Sequence, residues 1–256
     1  MEAGNRCFDA NVPEETNRRL VNHTADFNLA YTEHARRNLL AEGLHPRRII
    51  VTGSPMTEVL DQHADAIAES PALADLGVEA GGYFLVSAHR EENVDSPERL
   101  AALLECLNTV AAQWGLPVLV STHPRTRKRL EALDESGIDG LVRFHEPFGF
   151  LDYNRLQMSA ACVLSDSGTI AEESTILGFP AVTLRSSIER PEALDTGSIT
   201  MTDLDPEVLV TAIRFAMARP EPAERPADYQ ITNTSERVVN FILSTAFQHE
   251  FWSGLR

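Results

Sequence analysis

The chain has 256 residues, of which 43% are hydrophobic and 23% charged, proportions that are typical of a globular domain and exclude a largely disordered chain. No apolar run reaches the roughly 20 residues that span a bilayer, so a membrane-spanning helix is excluded as well. The formal net charge of −16 repels nucleic-acid phosphates, and any anionic ligand therefore needs cations placed close to it.

The amino terminus and the cysteines indicate a reduced compartment. The first residues, MEAGNRCFDA, lack the basic start and the apolar stretch of a secretory signal, so we expect a cytoplasmic protein. The three cysteines, Cys7, Cys106 and Cys162, are widely spaced and form no CxxC pair. This spacing argues against a disulfide framework and a structural zinc site, and we expect no metal.

Seven short apolar segments, rich in Val, Ile and Leu, predict the buried strands of a parallel sheet. In chain order they span residues 27–31, 48–53, 83–88, 117–122, 140–145, 161–166 and 180–185. Segments with helical periodicity alternate with them, notably 33–43, 57–70 and 97–114, the last preceded by Ser96 as a predicted N-cap. The alternation predicts a doubly wound α/β fold.

The remaining segments predict how the chain is organised. A Pro-rich, charged stretch at 218–230 is predicted as a linker or surface loop, and 234–247 as a closing amphipathic helix. An acidic, Gly-containing stretch before residue 83 predicts a domain boundary, with only two strand candidates ahead of it. A mononucleotide-binding half needs more units than that, so we expect the first domain to be incomplete.

Polar residues follow four of the predicted strands, at the edge where open α/β sheets bind ligands. The four segments begin with His89, His123, Ser167 and Ile188, the last followed by the charged residues Glu189 and Arg190. Ser167, Gly168 and Thr169 open a helix whose N–H groups and dipole favour a phosphate, although the same turn is ordinary capping chemistry. A histidine such as His89 is often only a hydrogen-bonding residue, but Arg190 adds the charge that a phosphate requires. A helix N-terminus, a histidine and an arginine at one edge of the sheet together suit a diphosphate.

Two glutamates stand near the amino terminus, Glu2 in EAGNR and Glu14 in PEETNR. Glutamate is favourable in the first turn of a helix, so spacing alone makes helix initiation the preferred interpretation of Glu14. The sequence contains no evident Ser/His/Asp arrangement, metal cluster or full GxGxxG fingerprint. This argues against a serine hydrolase, a metalloenzyme and a dinucleotide-dependent enzyme.

Seven strings together resemble the non-hydrolysing UDP-N-acetylglucosamine 2-epimerase family across essentially the whole chain. They are EAGNRCFD, VPEETNRR, EGLHPRRIIVTGSP, SAHREENV, STHPRTRKR, SDSGTIAEES and ERPEALDTG. The variants MEAGNRCFD, HREENVD and SDSGTIAEES are similar to the branch that makes UDP-N-acetyl-L-fucosamine. The resemblance implies two Rossmann-like domains arranged as in GT-B glycosyltransferases, with the N-terminal one incomplete. Residues 1–58 would be its remainder, 59–233 the UDP-binding domain, and 234–256 a helix packing back on the first domain.

The resemblance also implies roles for individual residues. Catalytic roles fall to Glu2, Glu14 and His89. Substrate contacts fall to the residues that match the family's sugar, phosphate, ribose and uracil positions: Arg18, His123, Phe148, Tyr153, Ser167, Gly168, Thr169, Glu173 and Arg190. Thr169 stands where the family often has Gly, and the identities of Phe148 and Tyr153 differ from its common uracil pocket.

The implied activity is inversion of C2 in a UDP-N-acetylhexosamine, by elimination and re-addition of UDP, for the synthesis of surface polysaccharide or other glycan precursors. The substrate pairs are UDP-GlcNAc with UDP-ManNAc, or UDP-2-acetamido-2,6-dideoxy-L-talose with UDP-N-acetyl-L-fucosamine. The resemblance implies no cofactor, a UDP-sugar ligand and a homodimer. Because part of the first domain is expected outside this chain, we expect the polypeptide alone to be inactive or severely impaired.

Three other functions stay open at this point. A GT-B glycosyltransferase shares the architecture, but Glu2 and Glu14 favour the epimerase. A hydrolysing epimerase releases free sugar and UDP, which product analysis would detect. A non-catalytic UDP-sugar-binding module would bind UDP tightly without turnover.

Overall fold

The computed structural model describes residues 1–9, 12–122, 129, 137–220, 222 and 224–253, with the backbone alone at 13, 91, 92 and 253. The chain divides into two compact units. Unit 1 comprises Met1–Gln62, Ser187–Thr196 and Arg225–Arg256, and unit 2 comprises His63–Ser186 and Gly197–Glu224. Each unit contains parallel strands and helices, which confirms the predicted α/β class. The boundaries implied at residues 58 and 233 stay a prediction.

The described residues form eight strands and thirteen α-helices. The strands are β1 (Asn28–Ala30), β2 (Ile49–Val51), β3 (Phe84–Ser87), β4 (Val118–Ser121), β5 (Val142–His145), β6 (Cys162–Ser165), β7 (Ala181–Thr183) and β8 (Thr200–Met201). The helices are α1 (Pro13–Thr24), α2 (Glu33–Ala41), α3 (Met56–Gln62), α4 (Ala64–Ala68), α5 (Ala72–Leu76), α6 (Glu91–Val94), α7 (Pro97–Trp114), α8 (Phe150–Ser159), α9 (Ile170–Leu177), α10 (Glu192–Asp195), α11 (Pro206–Met217), α12 (Thr234–Thr245) and α13 (His249–Ser253). Short 3₁₀ turns lie at Pro46–Arg48, Ala227–Gln230 and Ala246–Gln248.

The predicted strands are present, and one predicted helix needs correction. All seven predicted strands form within two residues of their expected ends, and β8 was missed because it is only two residues long. The prediction of a single helix over 57–70 is wrong. The structure has two helices there, α3 and α4, separated at His63, whose φ of −105° and ψ of 6° are not helical. The break coincides with the passage of the chain from unit 1 to unit 2, so α3 and α4 belong to different units.

The sheet of unit 2 has six parallel strands in the order β5-β4-β3-β6-β7-β8. The chain adds strands outward from β3 in one direction, through β4 to β5, and then returns to place β6 on the other side of β3. Such a reversal between neighbouring strands opens a crevice at their carboxyl ends, which is where doubly wound folds bind ligands. The crevice of unit 2 is therefore expected between β3 and β6.

The core of unit 2 covers both faces of this sheet. One cluster joins strand residues to α7 and α11; its members include Phe84, Val86, Val118, Val120, Leu164, Val182, Leu103, Leu107, Leu209 and Ile213. Strand residues of the other parity, such as Leu85, Leu119 and Val163, are fully buried too. Burial on both faces explains why the strands read as continuous apolar runs rather than as alternating patterns.

Unit 1 is built on a two-stranded parallel sheet, in which Asn28 of β1 lies opposite Ile49 of β2. Its amino-terminal segment is fixed by a buried arginine: Arg6 Nε and Nη2 each lie 2.8 Å from a carboxylate oxygen of Glu42. Arg6 Nη1 also donates to Asn22 Oδ1 at 3.0 Å. A bidentate pair of this kind holds both partners in one geometry.

The predicted amphipathic helix forms as α12 and belongs to unit 1. The Oγ1 atom of Thr234 donates to the carbonyl oxygens of Thr52 and Ser54, both at 3.2 Å. Farther along, the ring of Phe241 packs edge-on against Phe27, with centroids 5.3 Å apart. These contacts tie the end of the described chain to the segment around β1 and β2.

Two further features bear on the class of protein. In the described residues, no helix is long and apolar enough to cross a membrane. The same part of the chain contains no group of three His, Cys, Asp or Glu side chains arranged to hold a metal ion. The three cysteines are unpaired thiols, and burial raises the pKa of Cys106 and of Cys162 to about 12.

Candidate active site

The crevice of unit 2 is lined at its centre by two segments that leave neighbouring strands. His89 follows β3 by two residues, and Ser167 follows β6 by two residues. Since β3 and β6 pair in register, with Ser87 opposite Ser165, the two segments emerge side by side. This is the switch point of the sheet, so the topology concentrates both predicted groups there.

His89 is held beside a buried carboxylate. Its backbone N–H donates to both oxygens of Asp166, at 3.1 and 3.0 Å, and its ring Nδ1 lies 3.4 Å from Asp166 Oδ1. Asp166 is fully buried, whereas the His89 side chain is 44% exposed. The Nδ1 side of the ring therefore faces Asp166, and the exposed part of the ring is accessible to a ligand.

The Ser167–Thr169 turn precedes α9 and is organised by its own hydroxyls. Ser167 Oγ lies 2.9 Å from Thr169 Oγ1 and accepts the Thr169 N–H at 3.3 Å. The Ser167 N–H donates to Ser165 Oγ at 3.0 Å. Thr169 is the N-cap of α9, and its side chain makes no capping hydrogen bond. The amino-terminal end of α9 carries the positive pole that an anion prefers.

Tyr153 and Glu173 join the same region through two linking side chains. The Tyr153 hydroxyl hydrogen-bonds with Ser87 and Gln157, and Gln157 Nε2 donates to Glu173 Oε2 at 2.7 Å. Burial raises the pKa of Tyr153, and the nearby charge of Glu173 adds to the increase. Ser87 Oγ in turn lies 3.5 Å from His89 Nδ1. The phenol stays protonated and bridges the predicted ribose and diphosphate residues.

Phe148 lies in the loop that precedes α8, next to another ring. Its centroid is 5.4 Å from that of His145, at an angle of 36°. Burial lowers the pKa of His145, so a neutral imidazole faces the phenyl ring. His123, predicted in the same crevice, lies outside the described residues.

Unit 1 brings its own predicted residues into one cavity of about 270 Å³. The cavity is lined by Met1, Glu2, Glu14, Asn17, Arg18, Val21 and Asn22. Glu2 Oε1 accepts from Arg190 Nη2 at 3.0 Å and from Asn5 Nδ2 at 3.2 Å. Arg18 Nη1 lies 3.5 Å from Glu189 Oε1. Two carboxylates and a guanidinium therefore share one solvent-accessible space.

The backbone at Glu2 adopts the left-handed conformation, with φ of +58°. Non-glycine residues visit this region at a cost, and it persists where surrounding contacts determine it. Here Ala3 N donates to Leu29 O at 3.0 Å, and Gly4 N donates to Asn22 Oδ1 at 3.1 Å. These bonds fix the carboxylate of Glu2 at the cavity.

Sequence reasoning missed two residues that the structure places at the core of the crevice. Asp166 is the first residue after β6, so the rule that pointed to Ser167 would have found it one position earlier. Gln157 lies on α8 and belongs to no motif; only its contacts with Tyr153 and Glu173 reveal it.

Comparison with known proteins assigns the family. The model of the family described as UDP-N-acetylglucosamine 2-epimerase matches residues 1–243. The chain belongs to this epimerase family. A UDP-N-acetylglucosamine 2-epimerase of Methanocaldococcus jannaschii is 33% identical over 248 residues, which are 94% of this chain and 67% of that protein. The family and the isomerase class predicted from the sequence are thus confirmed, while the L-fucosamine branch stays a prediction.

Solved structures of epimerases share the fold. That of UDP-N-acetylglucosamine 2-epimerase from Rickettsia bellii has a TM-score of 0.89 at 38% identity and covers 98% of this chain and 67% of its own. The M. jannaschii epimerase in complex with UDP-GlcNAc and UDP has a TM-score of 0.88 at 32% identity, covering 95% and 68%. The chain therefore spans about two thirds of the length of the relatives it matches.

Proposed function

We propose that this chain acts in the inversion of C2 of a UDP-N-acetylhexosamine, by elimination and re-addition of UDP. The observation that carries the proposal is the cavity of unit 1, where Glu2 and Glu14 stand with Arg18. Epimerisation needs acid–base groups for both faces of the sugar, and two carboxylates at one cavity supply them. The relative solved with UDP-GlcNAc and UDP supports a UDP-sugar as the ligand.

The chemistry is redox-neutral and balances within the substrate. A carboxylate, Glu2 or Glu14, takes the proton from C2, and the electrons of that bond form a double bond between C1 and C2. The bond from C1 to the diphosphate oxygen breaks, and UDP leaves with its electron pair. Protonation of C2 from the other face and return of UDP to C1 complete the inversion. The site must retain UDP between the two steps.

Unit 2 supplies groups suited to holding UDP in this scheme. The Ser167, Gly168 and Thr169 turn at the α9 N-terminus suits the diphosphate, with His89 donating to the departing charge. The carboxylate of Glu173 suits the ribose hydroxyls, because an ionised carboxylate accepts hydrogen bonds from both. The remaining predicted contacts of the ligand are Phe148 and Tyr153 with the uracil, and Arg18, His123 and Arg190 with the sugar or diphosphate.

Several finer assignments belong to the proposal as well. The substrate is UDP-GlcNAc with its 2-epimer UDP-ManNAc, or the 2,6-dideoxy-L-talose and L-fucose pair that the sequence variants favour. The domain division at residues 58 and 233 and a homodimer complete the proposed organisation, and the product serves the synthesis of polysaccharide precursors.

The test is NMR of each UDP-sugar incubated in deuterated water with a stoichiometric amount of the chain. We expect deuterium to appear at C2 together with the 2-epimer, slowly, because activity of this polypeptide alone is expected to be impaired. Glu14→Gln should abolish exchange and retain UDP binding, measured by calorimetry. Glu69→Gln, at an exposed position of unit 2, is the matched control and should exchange like the unmodified chain.

Each other outcome selects a different function. Binding of UDP without exchange, both by this chain and by a chain extended upstream, would overturn the epimerase and leave a UDP-sugar-binding module. Release of free sugar with UDP would indicate a hydrolysing enzyme. Absence of UDP binding would contradict the proposal as a whole.

A further inference from the structure

A buried carboxylate, Asp166, organises the segment that carries His89. It accepts the backbone N–H of His89 and that of Arg90, the latter at 3.0 Å, and the side-chain amide of Asn93 at 3.0 Å. A fully buried carboxylate is costly unless it is hydrogen-bonded in this way. The turn after β3 is therefore built around the carboxylate of Asp166. A shift of the turn would break these hydrogen bonds and leave the buried carboxylate without donors.

The amide of Asn93 extends this arrangement into a network. Its Oδ1 accepts from Arg99 Nε at 3.1 Å and Nη2 at 2.8 Å, and the same Nη2 contacts Asp203 Oδ1 at 2.5 Å. Asn93 Nδ2 also lies 3.4 Å from the carbonyl oxygen of Leu184. The network thus connects the segments that follow β3, β6, β7 and β8. Polar networks in which every member is satisfied are rigid, so Asp166 has one fixed position.

The imidazole of His89 presents one defined nitrogen to this carboxylate. Nδ1 lies 3.4 Å from Asp166 Oδ1, and its hydrogen-bond partner is the Ser87 hydroxyl at 3.5 Å. An ionised carboxylate presents only lone pairs and repels a lone pair on Nδ1, so the proton of a neutral ring is favoured on Nδ1. The partner of one ring nitrogen sets the state of the other, which leaves Nε2 for a ligand.

We propose that Asp166 is a positioning residue that holds the neutral ring of His89 in the Nδ1–H tautomer, with the lone pair on Nε2. After Nε2 takes up a proton, the resulting Nε2–H donates to an anionic oxygen, and loss of that proton restores the same tautomer. The tautomer assignment stands on the geometry of unit 2 alone; its use toward a departing diphosphate rests on the proposed function.

The first test measures the tautomer directly in the unmodified chain. Long-range proton–nitrogen correlation NMR of chain labelled with ¹⁵N-histidine distinguishes a protonated ring nitrogen from an unprotonated one. At pH 9, where an ordinary imidazole is neutral, we expect His89 to carry its proton on Nδ1. His89→Gln identifies the signals among those of the eight histidines. A neutral ring protonated on Nε2 would overturn the proposal without any variant being needed.

The second test removes the charge of Asp166. Asp166→Asn keeps the size of the side chain, and we expect the neutral ring of His89 to move to the Nε2–H tautomer. Asp75→Asn makes the same change of charge at an exposed position of α5 and should leave the His89 signals unchanged. An Asp166→Asn chain that keeps dispersed amide signals and an Nδ1–H ring would contradict the role of Asp166.

A titration with UDP connects the tautomer to ligand binding. We expect Asp166→Asn to weaken UDP binding about tenfold and Asp75→Asn to stay within about twofold of the unmodified chain, changes that calorimetry resolves. Equal UDP affinity for a folded Asp166→Asn chain would overturn the positioning of His89 for the diphosphate. Absence of UDP binding by the unmodified chain would instead refute the proposed function, and the NMR result would still decide the tautomer.

Discussion

At the residue scale, Gly4 shows how one position can decide the geometry of a candidate site. Its φ is +86°, and a Cβ atom there would lie 2.1 Å from the carbonyl oxygen of Ala35. Only glycine combines that backbone conformation with such a close approach. Because Gly4 lies two residues from Glu2, the same contact that excludes a side chain here also places the proposed catalytic carboxylate.

Gly4→Ala is expected to destabilise the chain by at least about 3 kcal/mol, because the added methyl group meets backbone that cannot yield. Gly43→Ala is the matched control, since its φ is +88° but nothing lies within 4 Å of the added atom. That variant should cost only about 1 kcal/mol, the strain of a left-handed alanine. Urea unfolding of both variants measures the difference, and equal losses would contradict the steric explanation.

Glu42 makes stability in acid dependent on one side chain. Its hydrogen bond with Arg6 lowers the pKa of Glu42, and a hydrogen bond with His23 adds to this effect. A lowered pKa in the folded state means that the stabilisation is fully present above the usual glutamate pKa of about 4.3. It is lost as the pH falls from there through the lowered folded value.

We therefore expect Glu42→Gln to unfold at a lower urea concentration than the unmodified chain at neutral pH. The difference between the two unfolding midpoints should narrow below about pH 4. The replacement also leaves the buried Arg6 guanidinium without its ionised partner. Glu69→Gln, at an exposed position, should shift stability by less than about 0.5 kcal/mol at either pH. A gap that stayed constant down to pH 3 would show that the Glu42 charge is not responsible.

At the scale of elements, α7 is a helix whose first and last residues can be predicted from the residues that flank it. Ser96 caps it, with Oγ accepting the Arg99 N–H at 3.3 Å, and Gly115 ends it in the left-handed conformation. Both residue types act locally, so no tertiary contact is needed to predict them. The break at His63 has no such local cause; it falls where the chain leaves one unit for the other.

Ser96→Ala should destabilise unit 2 by about 1 kcal/mol, because a first-turn N–H of α7 loses its acceptor. Ser96→Thr keeps an acceptor oxygen and is expected to retain most of that stability. Thermal melts of the two variants provide the comparison. The capping role would be refuted if alanine and threonine had the same effect.

At the scale of the whole molecule, charge is the dominant composition feature. The chain carries 38 acidic and 22 basic residues, and Lys128 is its one lysine. At a net charge of −16 the acidic side chains repel one another in the folded state, and salt screens that repulsion.

We expect the melting temperature to rise by several degrees between about 0.1 M and about 1 M KCl, because the Debye length falls from about 10 Å to about 3 Å. Guanidinium chloride and KCl of equal strength would separate screening from denaturation, since only KCl should stabilise. A melting temperature that did not change with KCl would contradict self-repulsion as a limit on stability.

The sequence alone determined seven of the eight described strands, the limits of α7, the α/β class and the family. Each of these depends on residues near one another in the chain or on motif strings that keep their order. It also pointed to Glu2, Glu14, His89 and the turn at Ser167, since strand ends and motifs are local. The roles of these residues stay proposals that the experiments above test.

Only the tertiary structure decided which partners surround those residues. Asp166 meets His89, 77 positions away in the sequence, because β3 and β6 are paired in the sheet. Arg190 follows β7 of unit 2 in the sequence, but it belongs to unit 1, where it contacts Glu2, 188 positions away. Such contacts depend on strand order and on how the chain passes between units, and no local pattern encodes either. The buried carboxylate that anchors His89 could therefore be recognised only after folding had brought its donors together.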